Sequence, residues 1–323
     1  MPHNSSIKLI NLMKILLIVL TINCFEIYAQ DKILPTPLNS TTELSVLQAR
    51  FGSRFTFTAT PSEQGIRTGS LGFDMDEIEG FYLGLEQDGQ HHALRTLTLP
   101  YGFNYFEKQE LDFGMTFTRW TAAEEGLKLE LKVISPFSTS ESLEDTANLK
   151  TQIAPAFYII INLKNESNVT KSGKLQTGFQ KTPVREINAL ADRYYRGGSN
   201  ISFRDNASIN TKQTLSGSDN FNKFYNLSGI SGLERKYLLE PGESLADTLI
   251  FATHFNGIVL QNLKTNLPQY FYYTRLFADV QEVVTYARKN AAKNLEKTAS
   301  FESILQNSNI PDREKWVIAL TFK

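Results

Sequence analysis

Four histidines, one cysteine and a scatter of carboxylates are the residues of this 323-residue chain with reactive potential. His91 and His92 are adjacent. In a strand, consecutive side chains point to opposite faces, so this pair cannot close on one ion. His3 and His254 are remote in sequence, and the single cysteine, Cys24, excludes a disulfide framework and any CxxC metal site. No zinc site is expected and no cofactor is called for. Asp74-Met75-Asp76-Glu77-Ile78-Glu79-Gly80 has the acidic density of a calcium loop but not its spacing. An EF-hand needs an oxygen ligand at the fifth position and glycine at the sixth, where Ile78 and Glu79 stand. It reads as a solvated acidic turn. Glu124-Glu125-Gly126 reads as a hairpin turn, because an acid–base role needs a second carboxylate in fixed geometry. Arg193-Tyr194-Tyr195-Arg196-Gly197-Gly198 is the local cluster best suited to a ligand. Its aromatics beside arginines can stack on a sugar or a base, or simply pack a loop onto the body of the protein. No GxSxG, HExxH, P-loop or GxGxxG constellation occurs. No catalytic, cofactor-binding or metal residue is therefore assigned within the chain.

The elements that must position any site are mostly strands. Leu127 to Val133 alternates apolar and polar residues with a period of two, a strand with one buried face. Ala156 to Leu163 is a more continuous apolar run rich in isoleucine and tyrosine, which predicts a central strand buried on both faces. Leu97–Leu99, Met115–Trp120, Ile201–Phe203, Lys236–Leu239 and Leu245–Ala252 add further strands, the last two joined by the turn Pro241-Gly242-Glu243-Ser244. Residues 31–265 thus read as one large antiparallel β-sandwich, and the chain as mainly β. Near Tyr270 the period changes. Leu276, Val280, Val283, Val284, Ala287, Ala291 and Leu295 share one helical face and predict a single amphipathic helix. A second helix is expected from Pro311, capped by Ser308 or Asn309, with Trp316, Ala319 and Leu320 starting its apolar face. Residues 266–323 are then a linker and two helices without a closing C-cap, read as the start of a helical domain that continues past Lys323.

Composition narrows the partners. Lysine plus arginine total 33 and aspartate plus glutamate 34, a net charge of −1, which argues against nucleic acid as a partner. Lys14 followed by Ile15-Leu16-Leu17-Ile18-Val19-Leu20-Thr21-Ile22 is too short to span a bilayer and suits the apolar core of a secretory signal over residues 1–30. Cleavage after Ala29 and a start at Met13 are both compatible with it. Thr21-Ile22-Asn23 before Cys24 is a poor lipobox, so plain export to the periplasm or outside is the expectation, and the mature chain then carries no thiol.

Tyr270-Phe271-Tyr272-Tyr273-Thr274-Arg275-Leu276-Phe277, followed by Glu282-Val283 and Tyr286-Ala287, resembles the sandwich-to-barrel transition of glycoside hydrolase family 52, the β-xylosidases. Gln152-Ile153-Ala154-Pro155-Ala156 through Asn165, Gly69-Ser70-Leu71-Gly72 and Tyr82-Leu83-Gly84-Leu85-Glu86 are similar to other segments of that family. The transition segment is the specific one. The family's histidine-rich opening has no counterpart around Ser45 to Ser53. The resemblance implies a β-sandwich followed by an (α/α)6 barrel, here truncated. It also implies a retaining mechanism with a glutamate nucleophile and an aspartate acid/base, and xylo-oligosaccharides as substrates. By the order of family segments both carboxylates fall beyond Lys323, so this fragment alone is expected to be inactive, its sandwich walling the barrel and the Arg193–Gly198 loop reaching the pocket mouth. A family 116 type β-glucosidase and a non-catalytic carbohydrate-binding or assembly module are the alternatives, and a homodimer is left open.

Overall fold

Strand-forming sequence dominates the computed structural model. It describes residues 36–37, 46–49, 55–59, 66–70, 79–94, 99, 102–137, 145–180, 200–206, 211–225, 230–255, 260–261 and 268–322. All of them belong to one unit, Thr36–Lys323. The residues of the signal reading, Cys24, Asp74–Ile78, Leu97–Thr98 and Arg193–Gly198 lie outside the described residues, as do the side chains of Trp316 and Leu320.

Among the described residues the strands form two large sheets. The first contains β1 (Thr36–Pro37), β8 (Lys108–Phe113), β9 (Phe117–Glu124), β10 (Leu127–Ile134), β11 (Ala156–Asn165), β13 (Asn200–Asn206), β14 (Thr211–Ser216) and β17 (Ser244–Phe255). Its spatial order is β1-β8-β9-β10-β11-β17-β14-β13, antiparallel throughout. The second contains β2 (Val46–Ala49), β3 (Phe55–Ala59), β4 (Ile66–Ser70), β5 (Glu79–Gln87), β6 (Gln90–Ala93), β7 (Phe103–Tyr105), β12 (Lys171–Gln180), β15 (Asn222–Tyr225) and β16 (Ile230–Leu239). Its order is β15-β16-β12-β5-β4-β3-β2, with β6 also pairing β5, and β7 joining β6 in a parallel contact. A short ribbon pairs β18 (Leu260–Gln261) with β19 (Pro268–Gln269). The two-residue turns Asp88-Gly89 and Glu125-Gly126 have both residues at positive φ, the primed hairpin geometry that matches strand twist. Glu124-Glu125-Gly126 is thus the hairpin turn read from the sequence. Pro241-Gly242 instead carries the chain from β16 in one sheet to β17 in the other.

The core lies where the two sheets face each other. Phe57 of the second sheet packs edge-on against Phe81 on its own sheet and Phe157 across the gap, with centroids 5.5 and 6.4 Å apart. β11 explains why its run looked buried on both faces. Phe157, Ile159, Ile161 and Leu163 point inward and are fully buried. On the outer face Ala156 and Tyr158 are buried too, Ile160 and Asn162 are half-buried, and Lys164 is exposed. One end of that outer face is covered by helices; the other meets solvent.

The helices differ from the sequence expectation in three ways. First, α1 (Thr146–Ile153) was not foreseen. Its only long apolar residues are Leu149 and Ile153, too few for a helical stripe. It is set by Asp145, whose carboxylate accepts the Ala147 and Asn148 N–H groups. Second, the helix predicted from Leu276 to Leu295 is two helices. After a 3-10 turn at Tyr272–Arg275 the chain forms α2 (Val280–Lys289) and then α3 (Ala291–Gln306). Asn290 makes the break, its side-chain amide donating to the Tyr286 carbonyl at 2.8 Å. Both segments keep the same apolar period, so the stripe could not reveal the corner. Third, Ser308 donates to the Leu305 carbonyl at 2.7 Å and so closes α3 instead of capping α4 (Asp312–Phe322).

Three tyrosines buried in this architecture predict its alkaline behaviour. Burial raises the phenols of Tyr82 and Tyr273 far above their ordinary value, and that of Tyr237 is pushed up to about 12. A phenol whose pKa is raised by folding stabilises the fold fully below the unfolded value of 10.0 and loses that contribution as pH rises past it. Ultraviolet titration should therefore show these tyrosines ionising together with unfolding above pH 10.

Candidate functional site

The segment that carries the family resemblance forms the joint between sandwich and helices. Its residues share a core with the covered end of the first sheet: Ile134, Ala156, Tyr158, Ile250 and Ala252 from strands, and Tyr273, Phe277, Val280, Val283, Val284 and Ala287 from the joint and α2. Capping sets the approach of α2. Asp279 accepts the Glu282 N–H at 2.8 Å while Glu282 accepts the Ala278 N–H at 2.7 Å, a reciprocal start. Phe271 stacks on Tyr273 with centroids 5.3 Å apart, and the Tyr273 hydroxyl accepts the Phe255 N–H at 3.1 Å.

Polar groups lock this apolar joint. Tyr158 donates to the Ala287 carbonyl at 2.8 Å and accepts from Asn294 Nδ2 at 3.0 Å. Thr151 and Tyr286 hydroxyls lie 2.9 Å apart, tying α1 to α2. His254 Nε2 sits 3.0 Å from the Phe277 carbonyl, so the tautomer with a proton on Nε2 fits. Arg288 donates to the Gly217 carbonyl at 2.7 Å and to Ser216 Oγ. The deepest lock is Glu302 on α3. Its carboxylate accepts the Met115 N–H at 3.0 Å, the Thr116 N–H at 2.9 Å and the Thr116 hydroxyl at 2.8 Å. Gly114 makes room, since a Cβ there would lie 2.1 Å from Glu302 Oε1 and 2.4 Å from Phe117 Cε1. Sequence reading missed Glu302. The available signal was a carboxylate on the stripe Leu295, Thr298, Glu302, Leu305, where an apolar residue is the usual occupant.

Half-buried carboxylates elsewhere are also engaged. Asp247 of the first sheet pairs with Arg235 of the second and accepts from Ser218 Oγ at 3.1 Å. Asp112 and Glu130 both flank Arg119, with Asp112 bridged bidentately, and that hydrogen bond holds the guanidinium above its ordinary pKa. These pairs brace strands.

His91 and His92 lie on β6 and meet different neighbours, as adjacent strand residues must. His91 stacks on Phe103 at 4.1 Å, and burial lowers its pKa. His92 faces Phe106 and Glu124, its Nδ1 3.8 Å from Glu124 Oε2. Among the described residues no group of three or more His, Cys, Asp or Glu side chains is placed to hold a metal ion. No described helix is long and apolar enough to cross a membrane.

No curated protein matches the chain in sequence. In structure it is similar to a protein of the human microbiome described as a kojibiose phosphorylase, at 12% identity and a TM-score of 0.45, covering 90% of this chain and 42% of that one. It is also similar to a polysaccharide lyase, at 13% identity and a TM-score of 0.36, covering 67% of this chain and 33% of that one. The chain thus spans less than half the length of either. Residues 76–323, which take in the larger part of both sheets, the joint and all four described α-helices, match one protein family, and the chain belongs to it: glycosyl hydrolase family 52.

Proposed function

We propose that this chain is the sandwich-and-joint part of an exported β-xylosidase that releases xylose from xylo-oligosaccharides with retention of configuration. The observation that carries the reading is the family match running unbroken from the sandwich through the joint into α4. A glycosidase of this kind needs one carboxylate to attack the anomeric carbon and another to protonate the leaving oxygen. Buried Glu302 is committed to backbone amides, and the half-buried Asp112 and Asp247 to arginines. The reading, following the family resemblance, assigns the reacting pair to none of the described residues. The role of this part is to hold the helical joint rigid, so that a helical domain is presented in one orientation to its substrate.

The test is turnover of aryl β-xyloside against aryl β-glucoside by the whole gene product and by residues 1–323 alone. The reading predicts xyloside cleavage by the former and none by the latter. Preference for glucoside would move the sugar assignment, and xyloside cleavage by residues 1–323 alone would overturn the placement of the carboxylates. Export rests on the apolar run after Lys14. A mature protein recovered outside the cytoplasm with Gln30 as its first residue is the expected result, and an uncut cytoplasmic chain would refute it.

A further inference from the structure

Away from the joint, at the sandwich end that carries the Asp88-Gly89 and Glu125-Gly126 turns, a hollow of about 100 Å³ opens between the two sheets. A single water needs about 10–15 Å³ of such space, so the hollow holds a group the size of one sugar ring. Its floor is apolar, from Leu85, Phe106 and Leu127, all buried. Its rim is polar: Asp88, Gln90, His92 and Glu124. A pyranose has this same division, with C–H faces and a girdle of hydroxyl groups.

The rim is built rather than incidental. Glu124 ends β9 and His92 sits within β6, so the two arrive from different sheets on rigid strands. Glu124 Oε2 is pinned by the Glu107 N–H at 3.1 Å, which fixes the carboxylate. His92 Nδ1 is buried and has no hydrogen-bond partner. It stands 3.8 Å from Glu124 Oε2, too far for a direct bond. A ring hydroxyl can donate to the Glu124 carboxylate, which lines the hollow beside His92. Three carboxylates line the hollow, and Lys171 lies 3.8 Å from Glu125. Acceptors therefore outnumber cations, which disfavours phosphate and suits a ligand rich in hydroxyl donors.

We propose that this hollow is a second, non-catalytic saccharide site that takes one neutral pyranose ring, the terminal unit of an oligosaccharide, between His92 and Glu124. The choice of a sugar over another hydroxyl-rich molecule rests on the glycosidase reading; the site's geometry does not. Its function would be to hold a glycan chain on the sandwich while another end is processed.

The experiment uses residues 1–323 with xylose, xylobiose and glucose, followed by ligand-observed NMR and amide shifts, on wild type, His92→Ala and Glu124→Gln. The expected result is saturable binding of one ring, with shifts at Gln90, His92 and Glu107, weakened about tenfold or more by each substitution. Unchanged circular dichroism confirms that the variants fold, and Glu124→Gln is nearly isosteric. No saturable binding by the folded wild type, or binding indifferent to both substitutions, overturns the proposal. The whole gene product carrying Glu124→Gln should keep its turnover on aryl glycosides. Lost sugar binding with retained turnover therefore supports the second site. Wild-type turnover without sugar binding sinks this site alone, whereas a wild type that cleaves no glycoside sinks the functional reading.

Discussion

Glu302→Ala is expected to destabilise the protein by about 3–5 kcal/mol, because it removes the acceptor of three buried donors. The donors are the Met115 and Thr116 amides and the Thr116 hydroxyl. The loss acts on the joint first. α3 is held to the first sheet by this carboxylate, by Thr298 Oγ1 accepting the Phe137 N–H at 3.0 Å, and by Phe301 packing on Phe137 with centroids 4.5 Å apart. Limited proteolysis of the variant should cut within α3 and α4 while the strands resist. Gly114→Ala should act on the same lock, since its new Cβ would fall on the carboxylate. The two costs are then not additive: Gly114→Ala should be milder when Glu302 is already alanine. Urea unfolding of the four proteins of this cycle reads the coupling directly. Additive costs would mean that Glu302 and Gly114 act separately.

Asn165→Ala comes next, at about 2–4 kcal/mol. The side chain is fully buried and joins the two turns that cross between the sheets, β11 to β12 and β16 to β17. Nδ2 donates to the Val169 carbonyl at 2.7 Å and the Leu239 carbonyl at 2.9 Å; Oδ1 accepts the Ser167 N–H at 3.0 Å and the Ser167 hydroxyl at 2.6 Å. The Asn165 backbone adds bonds to Glu243 and Gly242. Asn165→Asp keeps Oδ1 but replaces two donors with an acceptor facing carbonyls, so it should cost at least as much as alanine near neutral pH. Asn165-Glu166-Ser167 also spells a glycosylation triplet, yet its amide is consumed inside the fold. Thermal unfolding of both variants, with mass analysis of the wild type from a glycosylating host, checks both points. Stability unchanged in Asn165→Ala would remove the hub.

Much of the fold could be read from side-chain period because burial writes directly into it. Leu127 to Val133 and Ala156 to Leu163 differ in pattern because one strand end is covered by helices and the other strand is not so continuously covered. The joint was legible by resemblance, through Tyr273 and Phe277, both fully buried. What could not be read were features set by one polar group in a particular place. Asn290 bends a continuous apolar stripe, Asp145 starts a helix with little stripe at all, and Glu302 sits where an apolar residue would fit the period. Asn290 and Asp145 act on backbone within four residues, through bonds that asparagine and aspartate can make in many settings. Glu302 instead acts on backbone brought near only by tertiary structure, a partner that leaves no mark in local sequence. The hollow between the hairpins was invisible for the same reason: His92 and Glu124 are far apart in sequence and meet only because two sheets bring their turns together.

We propose that this fold serves a retaining glycosidase. Proton NMR of the whole gene product acting on an aryl β-xyloside tests it most directly. The prediction is that β-xylose appears first, followed by slow mutarotation to the α-anomer. First appearance of α-xylose would contradict the retaining mechanism, and no glycoside cleaved at all would contradict the functional reading itself.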